Sequence, residues 1–358
     1  MYRGEAMEFK AIPGPAHEQC GQLLASAPHN PFFTPAYLAA RGDSGERPWL
    51  LALWAHGRVV AGCTAFETRR RTGRALEIHS APAVVQERAY WEGLLGFCRE
   101  RGVQELVLQT YGSPELTIPG GTRELWRRRR REHVWDLTAG NGAAGFSPNH
   151  RRNAGRALKA GVELRVAETR EACRAHGHLV GASLTRRRER GEAVPSPRSE
   201  ALWLRLLANG AALIYQGTRE GTPLSSALVL LAPEGAYYQS AGTSPEGMAV
   251  GASHFVVQGA ADDLRRRGIR RFNLGGAGPD EEGLGRFKAG FGARPVELEA
   301  AAHWVASPWL LALRRGVQAL RRVRGAGVRR PEGTPGPAGA PTGAAAAGAG
   351  FSSRGHSA

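Results

Sequence analysis

The sequence predicts a mixed α/β chain built from two similar units in tandem, each a central sheet flanked by helices. Two repeated patterns predict it. Residues 99–108 align with residues 265–274: in each, a helical pattern stops at a glycine, Gly102 or Gly268, and an apolar-alternating strand follows. Upstream of each lies a hairpin pattern, residues 50–66 turning at His56-Gly57 and residues 212–231 turning at Glu220-Gly221. The whole motif recurs at an offset of roughly 160 residues, as an internal duplication would produce. A hydrophobic content of 42% supplies the cores.

A length of 358 residues suits about two to three domains of ~100–200 residues. The pattern breaks at Thr138-Ala139-Gly140-Asn141-Gly142. That divides the chain into a first unit, 1–138, and a second unit, 139–306, expected to carry the functional site. Residues 307–324 follow as a basic amphipathic helix, with Leu310, Leu313, Val317 and Leu320 on one side. It either packs on the second unit or lies on an anionic membrane surface. Residues 325–358 are Gly, Ala, Pro and Ser with scattered Arg, have almost nothing to bury, and are expected to be disordered.

The charge is lopsided, 48 basic against 32 acidic residues for a net +16. Such a surface favours polyanionic partners. Yet only Lys10, Lys159 and Lys288 are lysine, so the arginine excess has the look of coding bias and argues little for a nucleic-acid partner; no DNA is expected. By the same token, each lysine marks a place where a compact ammonium is wanted in preference to a planar fork. Cys20, Cys63, Cys98 and Cys173 are far apart and form neither a zinc signature nor a disulfide framework, which agrees with a reducing cytoplasm. No apolar run approaches the ~20 residues of a membrane span, and Glu5, Glu8 and Lys10 stand where a signal peptide would be apolar.

Four segments of the second unit carry candidate chemistry. The first is a helix capped by Ser147 and started by Pro148, stopping at Gly161, with Arg152, Arg156 and Lys159 on one side. That side is either a solvated basic face or a phosphate clamp. The second is the strand containing Tyr237, Tyr238 and Ser240, which turns through residues 243–251 into the start of a long helix, where free amides suit an anion. The third, Asn273-Leu274-Gly275-Gly276-Ala277-Gly278, leaves a strand through glycines that permit either a sharp exit or close approach of a ligand. It lacks the dinucleotide fingerprint and the P-loop lysine. The fourth, residues 283–292, holds Lys288 between Phe287 and Phe291 among glycines. An ammonium between apolar walls suits an oxyanion, and a lysine snorkelling to water is the alternative. Asp280, Glu281 and Glu282 nearby offer either a base or a charged loop. Neither a nucleophile-elbow serine nor a zinc-protease helix motif is present.

Taken in order, these segments resemble the Fem-like aminoacyltransferases, which build peptidoglycan interpeptide bridges, and their GNAT acetyltransferase relatives. The family's R-x-N-x-x-x-A-x-K-x-G-V helix is matched by Arg151, Asn153, Ala157, Lys159, Gly161 and Val162, and its G-L-x-x-F-K-x-x-F-G element by Gly283, Leu284, Phe287, Lys288, Phe291 and Gly292. The resemblance covers about residues 32–304, beginning near Asn30-Pro31-Phe32-Phe33-Thr34, and is most specific over 149–292. It implies two GNAT-type units and a substrate-assisted acyl transfer without a protein nucleophile. It puts Arg151 near the phosphates of a nucleotide- or lipid-linked cell-wall precursor and Lys288 at the transfer centre. With the four segments, it makes Lys288 the candidate catalytic residue and Arg151, Asn153, Lys159, Tyr238, Ser240, Gly275, Gly276 and Phe287 the candidate substrate contacts, with no metal and no permanent cofactor. Ordinary GNAT enzymes hold the CoA pyrophosphate with Q/R-x-x-G-x-G/A, where this chain has Met248, Gly251 and Ser253. The donor is therefore left open between an acyl-CoA and an aminoacyl-tRNA. The expected location is cytoplasmic, with a peripheral membrane contact open through 308–324. Acetyl transfer to a polysaccharide or small-molecule amine is the alternative activity, and non-catalytic binding of anions the third.

Overall fold

The computed structural model describes residues 7–312, apart from 16, 71–72, 113–115, 122, 139–144, 193, 195–199, 278–280, 308 and 310. Most of the expected 307–324 helix, the tail, most of the inter-unit break and Asp280 thus lie outside the described residues. The first unit runs β1 (Glu8–Pro13), α1 (His17–Ser26), α2 (Pro35–Gly42), β2 (Arg47–Ala55), β3 (Arg58–Arg70), β4 (Gly73–Ile78), α3 (Arg88–Glu100), β5 (Val103–Gln109) and β6 (Glu124–Asp136). The second opens with α4 (Pro148–Lys159) and then repeats that order with two short helices added. It runs β7 (Glu163–Ala167), α5 (Arg170–Glu189), α6 (Glu200–Ala208), β8 (Ala212–Arg219), β9 (Thr222–Leu231), β10 (Gly235–Thr243), a short α7 (Pro245–Val250), α8 (Ala252–Arg266), β11 (Arg271–Ala277), α9 (Glu282–Ala289) and β12 (Arg294–Trp304).

The repeat extends to backbone geometry. His56 and Gly57 have φ of 50° and 76°, and Glu220 and Gly221 have 50° and 78°. Both hairpins therefore turn on two left-handed residues, the geometry that matches strand twist. Ser147 caps α4 by accepting from the His150 amide, Pro148 opens the helix, and Gly161 ends it at φ 76°.

The expectation of one sheet per unit holds with a change: the two sheets join edge to edge in one twelve-stranded sheet, ordered β1-β2-β3-β4-β5-β12-β6-β11-β10-β9-β8-β7. Each unit's last strand completes the other's half, β12 pairing with β5 and β6 with β11, and the two exchanged strands pair with each other. The exchange covers what would otherwise be two open strand edges. The core follows the join. One apolar cluster fills the first unit and runs on into Trp203, Leu206, Leu228 and Tyr237. A second, around Trp135, Phe146, Tyr238, Phe272 and Phe291, lies under α8 and α9.

The two halves differ at one point. β4 and β5 stay paired in parallel to Ile78, the end of β4. β10 and β11 pair only where Gly235–Tyr237 meets Arg271–Asn273, although β10 continues to Thr243 and β11 to Ala277. Register breaks accompany the separation, between Tyr238 and Ser240 on β10 and between Asn273 and Gly276 on β11. Among the described residues no helix is long and apolar enough to cross a membrane, and no group of His, Cys, Asp or Glu would hold a metal.

Candidate active site

Lys288 lies at the place where β10 and β11 part. It is 1% exposed, and its amine donates to the Gly276 carbonyl. A Cβ added to Gly275, which has φ 75°, would stand 3.8 Å from both Lys288 Nζ and the Tyr237 hydroxyl. A glycine is thus required for the conformation, and the amine and the phenol converge beside it. Glu132, wholly buried on β6, accepts from Asn273 Nδ2 at 2.8 Å and from the Tyr237 hydroxyl at 3.5 Å, and pairs with Arg130. Asn273 Oδ1 accepts the Gly275 amide at 2.8 Å, which fixes the orientation of the Asn273 carboxamide.

Burial draws the Lys288 ammonium down to about 7, with Arg187 adding to the effect and Glu132 and Glu281 opposing it. His133, next to Glu132 and so on the other face of β6, is drawn down to about 4 by burial and then by Lys288 itself. The first unit supplies an aromatic wall: Phe32 lies 5.0 Å from Tyr111 and 5.7 Å from Tyr237, and Tyr111 lies 5.7 Å from Tyr237. Burial, reinforced by Glu132, keeps the Tyr111 phenol protonated. Charged and hydroxyl groups from both units therefore meet in a site shut off from water, where an electrostatic contact is worth more than at the surface.

α9 is held to α4. His150 Nε2 donates to the Phe287 carbonyl at 2.7 Å, its Nδ1 accepts from the Ser147 hydroxyl at 2.8 Å, and the Ser147 amide donates to the Gly290 carbonyl at 2.8 Å. The imidazole occupies the space of a Gly290 side chain: a Cβ there would stand 2.2 Å from His150 Cε1. His254 and Phe291 close the cluster, with ring centroids 4.6 Å and 4.5 Å from His150. Burial pulls both imidazoles below their ordinary range, His254 to about 3, so both are neutral.

The structure brings Lys288, Gly275 and Gly276 together and distributes the other predicted residues elsewhere. Phe287 gives its carbonyl to His150 and its ring to the α4–α8–α9 contact. Tyr238 points into the second core against Phe272, and its neighbour Tyr237 reaches the site. The Ser240 hydroxyl is bonded at 2.8 Å to His176, whose other nitrogen meets Ser226 at 2.9 Å. Asn153 is buried, 3.4 Å from His254 and accepting from Arg156 at 2.8 Å. Arg151 and Lys159 are exposed on α4. Glu132, Asn273, Tyr237, Tyr111 and Phe32 were not singled out as site residues by the sequence reading. The signal that the sequence offers for Glu132 is an acid placed directly after five consecutive arginines. All four cysteines are buried, and burial pushes the Cys63 and Cys98 thiols up to about 12, which suits a site without a sulfur nucleophile.

The turn before α8 is itself helical. Residues 245–250 coil into α7, whose Gly247 amide is capped by Ser244 at 2.9 Å, and a Cβ on Gly251 would stand 2.5 Å from the Asn153 carbonyl.

Residues 145–289 match the family model described as "Acetyltransferase (GNAT) domain". A search of curated proteins finds no match. Solved structures share the fold of nearly the whole described chain. FemX aligns at 12% identity with a TM-score of 0.60, over 82% of this chain and 97% of that one. A tandem GNAT protein from the clavulanic acid biosynthesis pathway aligns at 12% and 0.54, over 84% and 99%. L-PGS from Bacillus licheniformis aligns at 14% and 0.52, over 84% and 96%. The matched domain sets the class of residues 145–289, an N-acyltransferase domain. Residues 145–289 thus match a GNAT acetyltransferase domain, and the chain shares the tandem fold of FemX. Domains of this class take acyl-CoA as co-substrate and hold no permanent cofactor.

Proposed function

We propose that the chain transfers an acyl group to an amine of a cell-envelope precursor and that Lys288 is its catalytic residue. The observation that carries the reading is the Lys288 ammonium at the parting of β10 and β11, with one N–H taken by Gly276 and an aromatic wall excluding water. An acceptor amine attacks the donor carbonyl, a C–N bond forms, and the carbonyl electrons move to oxygen. Lys288 stabilises that oxyanion. The C–S or C–O bond then breaks, and the leaving thiolate or alkoxide takes the proton that the amine gives up. No protein nucleophile is involved, and positioning and electrostatics supply the acceleration.

The matched helix, with Arg151 and Lys159 exposed on it, supports a phosphate-bearing acceptor, nucleotide- or lipid-linked. On this reading 1–138 and 139–306 are the two units, and the chain works in the cytoplasm, touching the membrane through 308–324. The donor is a thioester presented through the strand split, or an aminoacyl ester, since Met248, Gly251 and Ser253 depart from the usual CoA-loop pattern. Acetyl transfer to a polysaccharide or small-molecule amine is the second reading, favoured by the acetyltransferase description of residues 145–289. The deciding experiment supplies purified protein with radiolabelled acetyl-CoA or aminoacyl-tRNA, each with a nucleotide-linked muropeptide or glucosamine. Label in the muropeptide supports the first reading and label in glucosamine the second. Consumption of neither donor with either acceptor refutes both.

A further inference from the structure

Residues 127–131 are all arginine, and they lie in β6, at the centre of the sheet. Strand alternation sends 127, 129 and 131 to one face and 128 and 130 to the other. On the first face β12 meets them with acids: Arg127 pairs with Glu299 at 2.8 Å, Arg131 with Glu297 at 2.6 Å, and Arg129 stands opposite Glu299 in register. On the second face β12 places Leu298 opposite Arg130 and Ala300 opposite Arg128. Arg130 finds partners of its own, Glu132 on the same strand and the Thr110 carbonyl at 3.1 Å.

Arg128 does not. Its Nε is buried with no hydrogen-bond partner among the described residues. Its guanidinium lies 5.1 Å from the centroid of the Trp126 ring. Burial, and then the neighbouring Arg130, work against its positive charge. A buried N–H is costly unless an acceptor meets it. Stacking on indole holds the planar fork in place while leaving its N–H edge for a carboxylate or phosphate.

We propose that Arg128, with Arg130 beside it, is a binding site for an anionic group, a carboxylate or a phosphate, carried by the molecule that is acylated. Arg128 shares its strand face with Glu132, four residues further on, which at ~3.3 Å per residue is about 13 Å away along β6. Glu132 marks the Lys288 centre. The acceptor is therefore an amine that carries its negative charge roughly that far from the reacting nitrogen. The link to an acceptor rests on the acyl-transfer reading. The anion site does not.

The test follows the Nε–Hε signals of arginine side chains in the full-length protein by 15N NMR. Inorganic phosphate is added in one series and glutarate in another, at constant ionic strength. Arg128→Lys and Arg129→Lys each delete one signal and so assign it. The expected result is a saturable movement of the Arg128 signal, with Arg129 responding at least ~10-fold more weakly, as an arginine already facing Glu299 would. The anion that saturates at lower concentration names the group. Arg128→Gln should remove the thermal upshift given by that anion and Arg129→Gln should keep it. Linear movement, or equal movement of both signals, overturns the site. A protein whose Arg128 saturates while neither donor is consumed refutes acyl transfer and leaves the anion site standing. Acyl transfer with a silent Arg128 does the reverse.

Discussion

Asn273 Nδ2 stands 2.8 Å from Glu132 Oε2, joining a strand of the second unit to the strand that the first unit lends it. The same carboxamide holds the Gly275 amide, so one side chain sets both the buried carboxylate and the turn beside Lys288. Asn273→Asp keeps the acceptor for Gly275 and replaces the donor to Glu132 with a second negative charge. The expected cost is ~1–3 kcal/mol, from a lost bond to a buried charged acceptor, read by urea unfolding. The added charge also favours the Lys288 ammonium, so the alkaline limb of the pH–rate profile should move up. An unchanged limb would mean that the two groups are not electrostatically coupled.

Lys288→Met keeps the length and apolar stem and removes the charge. A loss of roughly 100- to 1,000-fold in kcat is expected, the usual size for a removed oxyanion donor. The thermal midpoint should not fall, because the buried ammonium is a burden on the folded state. Near-native turnover in this variant, measured with whichever donor is consumed, would remove Lys288 from the mechanism.

The titration of Lys288 gives two measurements. An oxyanion donor must be protonated, so kcat should fall about tenfold per pH unit above roughly 7, where the buried amine loses its proton. A rate that rises through that range would make Lys288 the base. Stability moves the other way. Between about 7 and the ordinary lysine value of 10.5 the unfolded chain binds a proton that the folded chain does not, so unfolding free energy rises with pH in that window. Lys288→Met should lack that rise, and urea curves at the two ends of the window test it.

The repeat was legible because it is written in local signals: His56-Gly57 and Glu220-Gly221 can only turn, Gly102 and Gly268 can only end helices, and Ser147-Pro148 starts α4 as read. Lys288 stood out through composition. The exchange of β6 and β12 left no local trace, since alternation is the same whichever neighbour a strand takes. Without it Glu132 could not be assigned to the second unit's site, nor Tyr111 and Phe32 brought to Tyr237. Tyr237 and Tyr238 show the other limit. Adjacent on β10, they face opposite cores, and sequence alone does not say which face holds the site. Asn153, Ser240 and Phe287 matched a pattern or an element, but in the fold their polar groups are engaged by His254 and Arg156, by His176 and by His150.

The α4–α9 contact makes the last prediction. Lys288 is placed by a helix whose final turn is gripped by His150 at the Phe287 carbonyl and by the Ser147 amide at Gly290. Gly290→Ala drives a methyl to within 2.2 Å of the imidazole, and the helix must shift to admit it. Overpacking of this kind costs ~1–3 kcal/mol. The shift displaces Lys288, so kcat should drop even at temperatures where the variant is fully folded. His150→Ala loosens the same turn by removing the grip. Combined with Gly290→Ala it also removes the obstacle, so the double variant should be more stable than the sum of the two single losses, with a coupling of ~1 kcal/mol or more for residues in direct contact. Strict additivity in urea unfolding would mean that the imidazole is not what the glycine makes room for. Activity should remain low in the double variant, because room for the methyl does not restore the hydrogen bond that holds the Phe287 carbonyl in place.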